Sequence, residues 1–435
     1  MTTDQMITLA VLTAVVAALI WDRVRADVVA LAGAAVLMVS GVVRPSEVQG
    51  AFASPALIAL ASLFVIVYAI ELSGLLDRLI ELAVKLCLRV GAVGLWITIA
   101  LCGAASAFLN NTPIVVLAAP VIRDAAQTLK LEPKRYLMPL SYMAILGGCC
   151  TLIGTSTNLL VADMARVSGQ PTFSLFEITP VGLCIAAAGA LYLFLFSGRL
   201  IRSTIGDSGD EKRDSSFQDD MTGAQVGAAE AFVPHQELQP RRAILSVSIF
   251  LGVIAAAAAG LAPIAASAFA GAILLILFRV VSADEAYHGL RPEILMLIAG
   301  MVVIGIAMEE SGLAGAASSG LVSIVEPMGP LLALAIFYGA TLFLTELLSN
   351  ATVAVLFAPI AVALAESLSV SPRPFLVAVM MAASAAFATP FGYQTNVLVY
   401  QIGGYSYMDF VRVGLPLNVV TWAAGLAAIN VFFPF

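Results

Sequence analysis

Two polar clusters interrupt the middles of long apolar stretches, and their compositions are alike. The first is Asn-Asn-Thr at 110–112 within the stretch 94–129, and the second is Ser-Asn-Ala-Thr at 349–352 within 331–368. An asparagine side chain offers a carbonyl oxygen to a cation and an amide N–H to an anion, and threonine adds a hydroxyl. Capping of the following helix is the alternative role for such residues. Because the cluster occurs twice, we interpret the two as parts of one binding site.

Two further polar segments, 151–157 and 389–395, interrupt other apolar runs. Non-helical backbone at membrane depth is tolerated only where it lines a protein-enclosed or wet cavity. A helix that starts at such a break directs free N–H groups and the positive end of its dipole at the cavity, which suits an anion. No Lys or Arg lies in any of the four polar segments, so a bound dianion needs another source of positive charge. The sequence therefore favours cation-coupled anion transport over simple anion binding.

An acidic residue, Glu346, lies one turn before the second cluster. Carboxylates inside a membrane are costly and are therefore functional candidates. Glu346 is a candidate cation or proton site, and the alternative is a hydrogen-bonded brace for the second cluster. The residue at the matching place near the first cluster is Ala107.

The composition places these clusters in a membrane protein. The chain has 435 residues, of which 61% are apolar and 11% are charged, whereas a soluble domain has roughly 45–50% apolar and about 25% charged residues. The net charge of −7 leaves no basic surplus for a nucleic acid. The motifs HExxH and GxSxG, the P-loop and paired intramembrane carboxylates are all missing from the sequence. We therefore expect an integral membrane protein in a lipid bilayer that binds no nucleic acid and is not an enzyme.

The hydropathy pattern predicts an all-α, polytopic architecture. A spanning helix needs about 20 mostly apolar residues, and ten windows of this kind are present. They are 5–21, 27–43, 56–72, 136–165, 178–198, 243–261, 264–280, 293–310, 374–402 and 411–432. The stretches 94–129 and 331–368 are too long for one helix, and each is predicted to form a re-entrant hairpin with its polar cluster at the tip.

The distribution of basic residues orients the chain, because cytoplasmic segments of membrane proteins carry an excess of Lys and Arg. With ten crossings and an external N-terminus, 18 of the 21 Lys and Arg residues fall on the inside. The exceptions are Arg44, Arg166 and Arg373. The sequence thus predicts that both termini lie outside, and we expect the bacterial inner membrane as the location.

Matching segments recur along the chain at nearly one offset. Residues 110–121 match 349–360 (349 − 110 = 239), with five of twelve positions identical, and residues 154–158 match 392–396 (392 − 154 = 238). Several matches in order at nearly one offset indicate an internal duplication.

The duplication divides the chain into residues 1–198, a polar linker at 199–242 predicted to be cytosolic, and residues 243–435. Each copy has five predicted crossings and one hairpin. Because five is odd, the second copy is predicted to be inverted relative to the first, as in many secondary transporters. The two hairpins then enter from opposite sides, their tips meet near the midplane, and broken helices lie beside them.

These motifs resemble those of the divalent-anion:sodium symporter family of the ion transporter superfamily. The resemblance covers almost the whole chain and rests on the two tips, on LGGCCTLIGTSTNLLV at 146–161 and on ATPFGYQTNVLVY at 388–400. Within the family the chain is most similar to the sulfate-permease-like branch, whose members usually carry regulatory domains in the central loop. The linker at 199–242 is too short to hold such domains.

The resemblance implies ligands for two co-transported sodium ions and for the anion. The first sodium site would involve Ser106, Asn110, Asn111 and Gly154, and the second would involve Thr345, Ser349, Asn350 and Ala388. The anion would contact Asn111, Thr112, Thr155, Asn350, Thr352, Thr389 and Pro390. The resemblance also implies a homodimer with an elevator motion, and no organic cofactor.

Both tips depart from the family pattern Ser-Asn-Thr. Asn110 replaces the first serine, and Ala351 occupies the second threonine position, with Thr352 one residue later. Dicarboxylate specificity is therefore not inherited from the resemblance, and sulfate is our first expectation, ahead of C4-dicarboxylates. The alternatives are a proton-coupled or exchange-type anion carrier in which Glu346 titrates, and, from another class, an anion channel or a non-transporting receptor.

Overall fold

The computed structural model describes residues 2–21, 23–201, 238–316 and 329–435, and within these ranges all regular secondary structure is helical. The first half contains ten helices, the last of which continues through a π-helical turn at Leu193–Ser197 to Leu200. They are α1 (Thr3–Trp21), α2 (Ala26–Val39), α3 (Pro45–Phe52), α4 (Pro55–Leu72), α5 (Leu75–Val90), α6 (Ala92–Ser106), α7 (Asn111–Thr128), α8 (Lys134–Gly148), α9 (Ser156–Val167) and α10 (Thr179–Tyr192).

After the gap at 202–237 the described helices begin at Pro240 and follow the same order as in the first half. They are α11 (Pro240–Ala258), α12 (Ile264–Leu277), α13 (Ala283–Gly289), α14 (Pro292–Glu310), α15 (Pro330–Thr345), α16 (Asn350–Ser367), α17 (Arg373–Ser384), α18 (Gln394–Gly403) and α19 (Tyr407–Phe432). Most of the predicted linker at 199–242 lies outside the described residues, as does the region of the second half that would match most of α5.

The helical architecture predicted from hydropathy is confirmed. Six of the described helical segments are long and apolar enough to cross a bilayer, and several shorter apolar helices accompany them. Two predicted windows each contain two helices: α8 and α9 are separated by residues 149–155, and α17 and α18 by residues 385–393. These are the broken helices that the polar segments predicted, and the chain is an integral membrane protein.

The two predicted hairpins are pairs of helices joined by short connections. Residues 107–110 join α6 to α7, and residues 346–349 join α15 to α16. The starts of α6 and α15 are 330 − 92 = 238 residues apart, and those of α7 and α16 are 350 − 111 = 239 residues apart. Helix order and spacing thus follow the offset found in the sequence, while the inversion of the second half stays a prediction.

A glycine in the last long helix of each half lets the broken segment pack directly against it. A Cβ atom at Gly182 of α10 would lie 2.6 Å from the Cys149 carbonyl oxygen, and one at Gly414 of α19 would overlap the Phe387 carbonyl. Any larger side chain would push the broken backbone away, because membrane helices approach this closely only at small residues. These two glycines therefore allow both breaks to pack closely against the last helix of each half.

Candidate ion and anion site at two helix hairpins

The first tip places a carbonyl oxygen and a hydroxyl side by side. Asn110 caps α7, since its Oδ1 accepts a hydrogen bond from the Thr112 amide at 3.4 Å. Asn111, the first residue of α7, is 1% exposed, and its Oδ1 accepts a hydrogen bond from the Ser106 hydroxyl. The capping role that the sequence left open for the first tip thus belongs to Asn110, and the Asn111 side chain is free to face the interior.

The first broken segment brings further oxygens to this tip. A Cβ atom built on Gly148 would lie 2.9 Å from the Asn111 Oδ1, 3.1 Å from its Nδ2 and 3.2 Å from the Gly154 carbonyl oxygen, so the Asn111 side chain and the Gly154 carbonyl pack close together around Gly148. The Ser106 hydroxyl joins this group through its bond to Asn111. Backbone carbonyls of unwound segments can coordinate sodium in secondary transporters. Of the four residues predicted for the first sodium ion, Ser106, Asn111 and Gly154 thus place oxygen atoms together, whereas Asn110 is engaged in its cap.

The second tip repeats the arrangement with different partners. The Ser349 hydroxyl caps α16 by accepting from the Thr352 amide at 3.3 Å, and the two hydroxyls are 2.6 Å apart. Asn350 Oδ1 lies 2.9 Å from the Thr345 hydroxyl, whose single hydrogen is shared with the Ala383 carbonyl oxygen at 2.8 Å. Thr345 and Asn350 thus meet as Ser106 and Asn111 do, while Ser349 and Thr352 form a separate pair.

Glu346 lies in the second connection and is bound by the second broken segment. Its Oε1 accepts hydrogen bonds from the amides of Phe387 and Ala388 at 2.8 and 2.7 Å and from Asn418 Nδ2 at 2.8 Å. Its Oε2 accepts from the Thr389 amide at 3.0 Å and from the Thr389 hydroxyl at 2.9 Å. Four of the five partners are N–H groups, which can only donate, and the fifth is a hydroxyl. Ala388 and Thr389 thus form their described hydrogen bonds with Glu346 and not with Asn350. Pro390, the next residue in the chain, is buried.

Residues of the second break reach across to the first tip. Asn111 Nδ2 donates to the Tyr393 hydroxyl at 2.8 Å, and the Thr112 hydroxyl donates to Gln394 Oε1 at 3.3 Å. Thr155 caps α9 by accepting from the Thr157 amide at 3.3 Å. Among the described residues, no hydrogen bond joins one tip directly to the other.

Several residues of this region were not found by sequence reasoning. Tyr393 could have been found from the repeat, because it matches Thr155 at the repeat offset (393 − 155 = 238), and Thr155 is a predicted anion ligand. Asn418 had no such signal, because it lies in an apolar helix. Near the end of the chain Gly182-Leu183 matches Gly414-Leu415 at an offset of 414 − 182 = 232, and at this offset Asn418 corresponds to Ala186. Ser141 was also missed, although its hydroxyl bonds Thr395 Oγ1 at 2.8 Å and Asn396 Oδ1 at 2.7 Å in the other half.

Comparison with known proteins places this geometry in a family. The family model described as "Citrate transporter" (CitMHS) matches residues 16–369 and 348–434 of the chain. An uncharacterised transporter of Synechocystis is 25% identical over 580 aligned positions that cover 95% of each chain. Since this chain has 435 residues, at least 580 − 435 = 145 of those positions have no counterpart in it. The relative therefore carries an insertion or insertions that this chain lacks.

One further relative is similar in sequence over a shorter segment, and one solved structure is similar in fold over almost the whole chain. Sodium/sulfate cotransporter 1 of Chlamydomonas reinhardtii is 35% identical over 149 residues, which cover 34% of this chain and 17% of that protein. The crystal structure of the YdaH transporter of Alcanivorax borkumensis superposes with a TM-score of 0.59 at 15% identity and covers 96% of this chain and 98% of that one. The latter likeness concerns the fold alone.

Proposed function

Because the chain belongs to the citrate transporter family, which comprises divalent-anion:sodium symporters, we propose that it is a sodium-coupled symporter of a small divalent anion, with sulfate favoured over C4-dicarboxylates. One observation carries the proposal: a pair of oxygen atoms that could coordinate a cation occurs at each tip, from Ser106 and Asn111 at the first and from Thr345 and Asn350 at the second. Both pairs lie beside helix N-termini, and neither tip contains Lys or Arg. Cations and an anion can each find ligands there.

The proposed sodium ligands follow the two tips. The first ion is held by Ser106, Asn111 and the Gly154 carbonyl, with Asn110 fixing the start of α7. The second ion is held by Thr345 and Asn350, with Ser349 next to Asn350 in the chain and the Ala388 backbone bound to Glu346, which is next to Thr345. Asparagine is suited to both tasks, because its carbonyl oxygen faces a cation while its amide N–H faces an anion.

The proposed anion site lies between these ions. Its groups are the amides and hydroxyls of Asn111, Thr112, Thr155, Asn350, Thr352 and Thr389, with Pro390 as an apolar wall. Helix N-termini add partial positive charge only, so a dianion depends on the two sodium ions for full compensation. Each ligand then raises the affinity for the others, and this reciprocity is the basis of coupling.

For Glu346 we propose the bracing role rather than proton transfer. Four of the five groups around Glu346 are N–H groups that can only donate, and together with the Thr389 hydroxyl they tie three successive residues of the second break and Asn418 to this one side chain. The alternative of a proton-coupled carrier that titrates at Glu346 therefore has less support than sodium coupling.

For the transport cycle we propose an elevator motion within a homodimer. Hydrogen bonds cross between the halves at Asn111–Tyr393, at Ser141–Thr395 and from the Tyr142 hydroxyl to the Phe387 carbonyl at 2.6 Å. These contacts support a unit of hairpins and broken helices that moves as one body.

The test is uptake of labelled sulfate into proteoliposomes with and without an inward sodium gradient, and with excess unlabelled succinate. Gradient-driven, saturable uptake that succinate does not block is expected. Block by succinate would reassign the substrate to dicarboxylates, absence of a sodium effect would favour proton coupling or exchange, and flux that persists after the gradient collapses would indicate a channel.

Asn350→Ala tests the site itself. The variant removes the amide that serves both the second ion and the anion, and we expect sodium-dependent uptake to fall by about 100-fold or more, since each lost charge-assisted hydrogen bond is worth roughly 1.5–3 kcal/mol. Normal sodium-dependent uptake by this variant would refute the site assignment.

A further inference from the structure

Tyr393 and Gln394 occupy the same positions in the second half as Thr155 and Ser156 in the first. Tyr393 is the N-cap residue of α18 with φ −147° and ψ 142°, and Thr155 is the N-cap residue of α9 with φ −140° and ψ 143°. The backbone is therefore the same at both breaks, and only the side chains distinguish them.

The side chains of the two pairs do different things. The Thr155 hydroxyl turns back to cap its own helix, whereas the Tyr393 side chain makes no cap and extends to the first tip. There its hydroxyl accepts from Asn111 Nδ2 at 2.8 Å and lies beside Thr155. Gln394 Oε1 accepts from Thr112 at 3.3 Å. Two adjacent residues thus engage both first-tip groups that we assign to the anion.

The reciprocal contacts do not form at the second tip. The described hydrogen bonds of Asn350 and Thr352 go to Thr345 and Ser349 of their own hairpin, and none goes to Thr155 or Ser156. The phenol side chain of Tyr393 therefore reaches the first tip, whereas the equivalent threonine, Thr155, makes no described hydrogen bond to the second tip. The two tips thus differ in which residues of the opposite broken segment contact them.

We infer that Tyr393 is a specificity-determining residue that selects the anion by size. The inference rests on the proposed function. In this inference the Tyr393 side chain, held against Asn111, and the adjacent Gln394, held against Thr112, limit the room beside the two first-tip groups assigned to the anion. A compact tetrahedral dianion of the sulfate class therefore binds there, and a four-carbon dicarboxylate is excluded. The hydroxyl has one donor and two acceptor positions. It accepts from Asn111, and its own hydrogen can be donated to an oxygen of the bound anion.

Two substitutions separate the volume of the ring from its hydroxyl. Tyr393→Thr gives the second half the residue of the first half and removes the ring, and Tyr393→Phe keeps the ring. Tyr400→Phe is the matched control, because it removes a phenol hydroxyl from the same helix outside the site. Each variant is checked for a monodisperse elution profile, and sodium-driven sulfate uptake is then measured with and without succinate.

We expect Tyr393→Thr to raise the KM for sulfate and to let succinate compete, with a change of about tenfold or more in the ratio of the two affinities, as is typical when a pocket changes by several heavy atoms. Tyr393→Phe should raise the KM for sulfate by up to about tenfold, since one hydrogen bond is lost, while succinate stays excluded. Tyr400→Phe should behave as the wild type.

Failure of this inference is distinguishable from failure of the proposed function. If the wild type takes up sulfate with sodium and Tyr393→Thr still excludes succinate, size selection is refuted and the symporter stands. If the wild type prefers succinate, size selection is also refuted. If the wild type takes up neither anion with sodium, the proposed function fails. Binding is then tested by the rise in melting temperature that sulfate and succinate each cause in the wild type and in Tyr393→Thr. If the ratio of the sulfate-induced rise to the succinate-induced rise is the same in both proteins, the inference is refuted.

Discussion

The two broken segments share one hydrogen-bond pattern but differ in what holds them. In the first, the Thr151 hydroxyl accepts from the Gly154 amide at 3.1 Å, and Asn158 Nδ2 donates to the Thr151 carbonyl at 3.0 Å. In the second, the Thr389 hydroxyl accepts from the Gly392 amide at 3.1 Å, and Asn396 Nδ2 donates to the Thr389 carbonyl at 3.3 Å. The turn itself is thus the same at both breaks.

The difference lies at the equivalent positions 107 and 346. The Thr151 hydroxyl donates to the Ala107 backbone carbonyl, whereas the Thr389 hydroxyl donates to the Glu346 side chain. The helix before the second break ends at Ser384, while the one before the first ends at Gly148, which corresponds to residue 148 + 238 = 386. The second segment is therefore unwound further, and the Glu346 carboxylate accepts from the amides that this leaves free. The first break is therefore joined to its hairpin through the Thr151 hydroxyl and a backbone carbonyl, whereas the second is joined to its hairpin through the Glu346 side chain.

Removal of the carboxylate should have the largest effect. Glu346→Ala leaves three backbone amides of the second break without their acceptor, and we expect a loss of about 3 kcal/mol or more of stability together with loss of sodium-driven uptake. Glu346→Gln keeps one acceptor oxygen but turns an NH2 group toward donors of Thr389, so an intermediate loss is expected.

The measurements are thermal unfolding in detergent and uptake as a function of pH, with Glu366→Ala as a control on an exposed carboxylate at the end of α16. A brace predicts that Glu346→Gln lowers uptake equally at all pH values. If Glu346→Gln still transports but its uptake no longer depends on pH, Glu346 is a proton site, and its role as the brace of the second break is refuted.

The first break should be sensitive at its threonine. Thr151→Val keeps the shape but leaves the Gly154 amide and the Ala107 carbonyl without their shared partner, and we expect a loss of about 1–3 kcal/mol of stability. Because the Gly154 carbonyl is a proposed sodium ligand, the sodium concentration for half-maximal uptake should also rise by several-fold. Ser156→Ala, at the neighbouring half-buried position, is the control, and an unchanged sodium dependence in Thr151→Val would separate this threonine from the ion site.

Much of this architecture could be predicted from the sequence, because the signals are local. Runs of about 20 apolar residues are long enough to be recognised as spans, and polar residues within them mark the tips and breaks. The helical bounds of both hairpins and the two broken helices follow these signals closely.

The cross-half contacts could not be predicted in the same way, since they depend on how distant elements pack. The bond between Glu346 and Asn418 joins residues 72 positions apart, and that between Asn111 and Tyr393 joins residues 282 apart. The repeat identified the backbone positions of Tyr393 and Ser349, but it could not tell which side chain would cap a helix and which would reach the other half. A sequence repeat identifies equivalent positions, but it does not predict how the side chains at those positions differ in their contacts.

The smallest expected effect concerns the asparagine that closes each break. Asn396 Oδ1 accepts from the Ser141 hydroxyl, but the equivalent Asn158 Oδ1 is buried without a hydrogen-bond partner. Ser141→Ala would make the second half resemble the first in this respect. Hydrogen bonds between membrane helices average about 0.6 kcal/mol, so a loss of about 1 kcal/mol in stability and little change in uptake are expected. Because the first half already tolerates an unpaired oxygen at this place, a large loss of uptake in Ser141→Ala would mean that the Ser141 contact transmits motion between the halves rather than merely satisfying a polar group.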